Sequence, residues 1–253
     1  MDLGLKGLRA IVTGGTKGIG RAIAETLAAE GADVAICARN AEEVSAAVSK
    51  LQSKGVRAVG AVVDVGDGPA LKAWAQSVAK SLGGIDIVVA NVSALSIGND
   101  EESWKKGFEV DLMGAVRLVD AAMPYLEASK AASIVTISSV SGREIDFAAG
   151  PYGTFKAALI HYTQGLAFQL AAKGIRANTV SPGNTYFEGG VWNKIKDGNP
   201  ALYAEALALN PTGRMGTPQE MANAVAFLAS RAASFVTGTN LVVDGALTRG
   251  VQF

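Results

Sequence analysis

"RAIVTGGTKGIGRAIAETLAAEG", residues 9–31, decides the fold. It opens as a short β-branched run, RAIVTG (9–14), and turns through a cluster of glycines. It continues as RAIAETLAAEG (21–31), apolar at helical spacing and closed by Gly31. A strand that feeds a helix through a glycine turn is the first half of a βαβ unit.

The rest of the chain repeats that alternation. ADVAICA (32–38) reads as a strand and AEEVSAAVSKLQSKG (41–55) as a helix. RAVGAVVDV (57–65) and ALKAWAQSVAKSLGG (70–84) form the next pair, followed by IDIVVAN (85–91) and one helical stretch from about Glu102 to Ser129. ASIVTISS (132–139), a helix over 151–173 and IRANTVS (175–181) follow. A looser region (184–216) leads to the helix PQEMANAVAFLAS (218–230) and a last strand in NLVVDG (240–245). Strands alternating with helices imply a parallel sheet, and near-continuous Val/Ile/Ala strands are expected when helices cover both faces. No linker, low-complexity tract or tandem repeat interrupts the pattern, so one α/β domain over 1–253 is expected.

Composition narrows the function. The chain has 253 residues, of which 49% are hydrophobic, enough for a sizeable core. Lys+Arg 23 equals Asp+Glu 23, a balance that argues against nucleic-acid binding. The start, MDLGLKGLRAIV, lacks the pattern of a signal peptide, and no run of about 18 apolar residues suggests a membrane span. A soluble, cytoplasmic protein is expected. The single cysteine, Cys37, reads as a buried strand thiol, and no His/Cys cluster suggests a metal site.

In such a sheet ligands bind beyond the carboxyl ends of the strands. The first strand ends in TGGTKGIG (13–20). Gly14, Gly18 and Gly20 permit a tight turn and a close backbone approach, and the following helix offers its N-terminal N–H groups to an anion such as a pyrophosphate. The second strand ends in Ala38-Arg39, where a cofactor with a free ribose 2′-OH usually meets an acid. Arg39, with Lys17 from the glycine turn, suits a 2′-phosphate instead. NADP is therefore expected over NAD.

GPYGTFKAA (150–158) places Tyr152 four residues before Lys156, on one helix face. A phenol with a pKa of about 10 exchanges protons poorly near neutrality, and a nearby ammonium lowers that value. Tyr152 then suits a general acid to a ketone or a general base to an alcohol. Ser139, at the end of the fifth strand, is placed to hydrogen-bond the same oxygen.

With these residues together, the chain resembles a short-chain dehydrogenase/reductase over nearly its whole length. TGGTKGIG matches the family's T-G-x-x-x-G-x-G, and so brings in Thr16 and Ile19. Ser139, Tyr152 and Lys156 match its catalytic Ser and Y-x-x-x-K. The resemblance implies a doubly wound, Rossmann-type sheet of about seven parallel strands. It also implies hydride transfer between NAD(P) and a carbonyl or alcohol. On its account Asp64 and Val65 hold the adenine, Asn91 follows the fourth strand, and Pro182 and Gly183 flank the nicotinamide. GRMGTPQEMANAVAFLAS and TGTNLVVDG match the C-terminal region that usually builds a homotetramer interface.

Three positions depart from the family pattern. ANVS (90–93) has Ser93 where a glycine is usual. Thr185, the candidate for the carboxamide contact, stands early in PGNTYFEGG. Asp111, in EVDLMG, falls where the family has an asparagine that holds a water between the lysine and solvent. Of the remaining residues, His161, Trp74 and Trp104 read as packing or interface residues. The aromatic, glycine-containing stretch 186–210 reads as a mobile lid over the substrate.

The reading is an NADP-dependent oxidoreductase acting on a small carbonyl or alcohol, as a homotetramer or dimer. Two alternatives stand beside it. One is a 3-oxoacyl carrier-protein reductase, with Lys130 and Lys173 as a carrier patch. The other is a catalytically idle NADP-binding sensor, for which Asp111 is the only support.

Overall fold

The computed structural model describes residues 2–251. Seven strands form one parallel sheet: β1 (Arg9–Thr13), β2 (Asp33–Ala38), β3 (Ala58–Val62), β4 (Ile87–Ala90), β5 (Ser133–Ile137), β6 (Arg176–Pro182) and β7 (Asn240–Val243). Their order is β3-β2-β1-β4-β5-β6-β7, every neighbouring pair parallel. The expected doubly wound sheet is present, and its order reverses between β1 and β4.

Side-chain alternation along each strand explains the two layers of helices. Val12, Val34, Ile36, Val89 and Val135 point to one face. There they bury the apolar stripes of α1 (Gly18–Ala29), α2 (Ala41–Gln52) and α9 (Pro218–Ala229). Ile11, Ala35, Cys37, Val88 and Ile134 point to the other. That face packs against α3 (Gly68–Leu82), α5 (Gly114–Glu127) and α6 (Pro151–Leu170). Cys37 is fully buried as expected, and burial pushes its thiol up to about 12.

Several helix starts follow ordinary capping chemistry. Asn40, Asp67 and Thr217 each accept a backbone N–H at the start of α2, α3 and α9. Helix α1 begins after Lys17 with no side-chain cap, so its first N–H groups are left for something else.

The helical stretch expected from Glu102 to Ser129 is not one α-helix. α4 (Glu101–Gly107) gives way to a π-helical segment, Phe108–Met113, before α5 begins. Asp111 lies in that segment and is buried. Trp74 is buried as expected, whereas Trp104 is 37% exposed and meets Phe155 edge-on at 5.7 Å between ring centroids. His161 is exposed on α6.

Residues 184–216, looser in sequence, contain two short helices, α7 (Val191–Gly198) and α8 (Pro200–Ala208). They share a small apolar cluster of Trp192, Ala206 and Met215, with Tyr186, Ile195, Tyr203 and Leu207 around it. Among the described residues no helix is long and apolar enough to cross a membrane.

Candidate functional site

The carboxyl ends of β1 and β4 diverge at the reversal in strand order, which is where an open α/β sheet leaves a crevice. Two cavities, of ≈ 400 and ≈ 390 Å³, meet there and share Gly14, Lys17, Val92 and Ser93.

The first is floored by the glycine turn. A Cβ on Gly20 would overlap the Gly14 carbonyl oxygen and the Asn91 amide, so only glycine lets the turn close. Asn91 braces the turn from β4. Its Nδ2 donates to the Thr13 carbonyl at 3.0 Å, and its backbone N–H donates to Thr13 Oγ1 at 3.0 Å. Ile19, Ser139, Tyr152, Lys156, Pro182, Gly183 and Thr185 line the same cavity. Thr185 Oγ1 donates to the Gly183 carbonyl at 3.0 Å. From the 184–216 segment Phe187 lies over Gly18 and Gly190, and Trp192 closes one side.

Tyr152 and Lys156 lie one turn apart on α6, with Lys156 Nζ 5.6 Å from the Tyr152 ring centroid. Lys156 is 2% exposed, and its Nζ donates to the Ile137 carbonyl at 2.9 Å. Its own backbone carbonyl accepts from Ser138 Oγ at 2.8 Å, tying α6 to the end of β5. Asp111 also faces this lysine: its Oδ1 stands 3.5 Å from Nζ, while its Oδ2 accepts from the Ala94 N–H at 2.9 Å.

The second cavity extends over the end of β2 and β3. Thr16, Arg39, Asp64 and Val65 line it, and Lys106 joins them. Arg39 is exposed and has no ion-pair partner among the described residues. Lys17 pairs with Glu43 at 2.6 Å, and Thr16 Oγ1 donates to the other Glu43 oxygen at 3.3 Å. The sequence does not single out Glu43. The only signal for it was its place in the first turn of a helix next to the Arg39 loop. Asp64 Oδ1 accepts from the Gly66 N–H at 2.9 Å.

The geometry suits a dinucleotide. A turn that tolerates only glycine and an uncapped helix start match a pyrophosphate. By contrast, Lys130 and Lys173 precede β5 and β6, at the opposite end of the strands from this cleft. Lys173 is already paired with Glu127 at 2.6 Å. Among the described residues no group of acidic, His or Cys side chains is arranged for a metal ion.

Comparison with known proteins places the chain in a class. The family described as enoyl-(acyl carrier protein) reductase matches residues 14–248. The chain belongs to the short-chain dehydrogenase/reductase family and is an oxidoreductase of alcohols and ketones. It is 42% identical to an isoepoxydon dehydrogenase of Penicillium expansum, covering 100% of this chain and 99% of that one. L-sorbose reductase from Gluconobacter frateurii, complexed with NADPH and L-sorbose, superposes with a TM-score of 0.91 at 30% identity, covering 99% and 100%. An NAD+-bound xylitol dehydrogenase superposes at 0.88 with 29% identity, covering 96% and 99%.

Proposed function

We propose that the enzyme uses NADP to interconvert a small ketone and its secondary alcohol, with Tyr152, Lys156 and Ser139 as the catalytic residues. The observation that carries this reading is the placement of a buried Lys156 beside Tyr152, at the cavity that Ser139 and the glycine turn also line. A bound nicotinamide supplies or accepts the hydride. Tyr152 gives its phenolic proton to the carbonyl oxygen in reduction and takes a proton from the alcohol in oxidation. The Lys156 ammonium stabilises the phenolate. Lys156 also holds ribose hydroxyls, and Ser139 steadies the substrate oxygen.

The preference for NADP rests on Arg39 and Lys17 at the ribose end. Gly14, Gly18 and Gly20 admit the pyrophosphate, with Thr16 and Ile19 beside it. Asp64 and Val65 border the adenine, and Asn91, Pro182, Gly183 and Thr185 border the nicotinamide. Residues 186–210 act as a lid on a single catalytic domain, and Phe187 resting over Gly18 supports that role. An assembly of two or four copies accords with the C-terminal sequence. Lys130 and Lys173, which sit away from the cleft, do not favour the carrier-protein alternative. A screen of neutral ring ketones, sugars and their alcohols, followed by NADPH and NADH fluorescence in parallel, tests the reading. Turnover of one carbonyl with NADPH is expected; absence of turnover with every carbonyl would leave a nucleotide-binding protein only.

A further inference from the structure

Ser139 enters the cleft from the end of β5, and its hydroxyl is held in a chain that leads away from the cleft. The Ser141 N–H donates to Ser139 Oγ at 3.2 Å. Ser139 Oγ donates to Ser141 Oγ at 3.2 Å, and Ser141 Oγ donates to Asp146 Oδ2 at 2.6 Å. The direction follows from the last member. An ionised carboxylate only accepts, so the one hydroxyl proton of Ser141 is committed to Asp146. Toward Ser139, Ser141 Oγ is then left as an acceptor. The proton of Ser139 is drawn to it, and a lone pair of Ser139 faces the cleft. Asp146 cannot easily turn away, because its Oδ1 accepts from the Ala148 N–H at 2.8 Å. A hydroxyl–carboxylate bond of this length belongs to the stronger class of hydrogen bonds.

We propose that Asp146, acting through Ser141, is a positioning residue that sets the hydrogen-bond polarity of Ser139. With Tyr152 protonated and donating to the alcohol oxygen, the site then presents an acceptor for the alcohol's one hydroxyl proton. To donate to a ketone oxygen, Ser139 must break its bond to Ser141. The inference rests on Ser139 meeting the substrate oxygen, as proposed above. An enzyme leaves the reaction's equilibrium constant unchanged, so the bias does not alter the ratio of forward and reverse kcat/KM. It is expressed in ground-state affinity instead, as tighter alcohol and looser ketone.

Asp146→Asn reverses the chain at nearly constant volume. The asparagine oxygen is needed by the Ala148 N–H, which turns the amide NH₂ toward Ser141. Ser141 must then accept, its proton passes to Ser139, and the Ser139 proton is free to face the cleft. Ser141→Ala removes the competing acceptor and frees the same proton by another route.

The probes are the ketone turned over fastest in the carbonyl screen and its own alcohol. Each is titrated into a complex that cannot react: the ketone with enzyme and NADP+, the alcohol with enzyme and NADPH. In both variants the ketone is expected to bind more tightly and the alcohol more weakly. The ratio of the two dissociation constants should change by about fivefold or more, the worth of one hydrogen bond. A merely structural role would weaken both ligands together, and that outcome overturns the proposal. So does a ratio unchanged in both variants while Ser139→Ala still impairs turnover. If Ser139→Ala leaves turnover intact, the placement of Ser139 at the substrate oxygen fails, and the inference falls with it.

Discussion

Asp111 Oδ1 lies 3.5 Å from Lys156 Nζ, and the two side chains are 1% and 2% exposed. That oxygen has no hydrogen-bond partner in the protein, whereas the other caps the Ala94 N–H. The carboxylate thus serves a local backbone group and faces the lysine at once. The π-helical segment that carries Asp111 brings it there, a local distortion frequent at functional sites.

A negative charge at this place partly offsets the field of Lys156 at Tyr152, so the phenolate is stabilised less than it would be beside a neutral amide. Asp111→Asn is therefore expected to move the basic-side rise of kcat/KM for alcohol oxidation to lower pH, with the fold intact. A pH–rate profile of both proteins on one substrate checks it. An unchanged apparent pKa would leave Asp111 a cap for Ala94 and nothing more.

Tyr152→Phe keeps the ring against Lys156 but removes the transferable proton. Turnover should fall by about 10² or more, the usual scale of general acid–base catalysis, with NADPH binding largely kept. Lys156→Ala should impair both turnover and cofactor binding. Steady-state kinetics beside NADPH fluorescence titration separates the two effects. Near-normal turnover in Tyr152→Phe would remove the catalytic assignment.

At the ribose end Glu43 opposes the cations. Its ion pair with Lys17 is largely exposed, Lys17 being 70% accessible, and such pairs are worth little in themselves. Its charge nonetheless lines the same cavity as Arg39. Glu43→Gln is expected to tighten NADPH by about threefold and leave NADH unchanged, with the gain shrinking in high salt. Arg39→Asp should reverse the preference altogether, since a carboxylate repels the phosphate and accepts from a free ribose hydroxyl. The ratio of kcat/KM for NADPH and NADH in the three proteins measures this. A wild type that prefers NADH refutes the cofactor assignment.

Asp86, just before β4, ties the strand starts together. It accepts from the Arg9 backbone N–H at 2.8 Å, from the Arg9 guanidinium at 2.7 Å, and from Ser129 Oγ at 2.5 Å. Burial pushes its carboxyl up, but the hydrogen bonds from Arg9 and Ser129 outweigh this and hold it below the usual range. A carboxyl with a depressed folded-state pKa stabilises the fold above its unfolded value, and that contribution is lost as pH falls through the folded value. Asp86→Asn should therefore cost about 2 kcal/mol near neutral pH, the scale of a hydrogen bond to a charged group. The gap in Tm between wild type and variant should stay level above about pH 5 and narrow in more acid solution. A gap that widens on acidification would contradict the assignment.

What the sequence determined by itself is the succession of elements and the residues at the carboxyl ends of the strands. Periodicity of 2 in a strand and 3.6 in a helix is a property of consecutive residues, so β1, the glycine turn and α1 are legible within 9–31. Ser139, Tyr152, Lys156 and Asn91 reach the cleft because each follows or faces the end of a strand. The break in the helix at Phe108–Met113 was not legible, because apolar spacing continues through it. The pairing of Lys17 with Glu43, the approach of Asp111 to Lys156 and the chain from Asp146 to Ser139 also belong to the tertiary structure. Each depends on the direction of a side chain within a few ångströms of another. Spacing along the chain does not encode that direction, because it is set when loops from separate strands close over the same crevice.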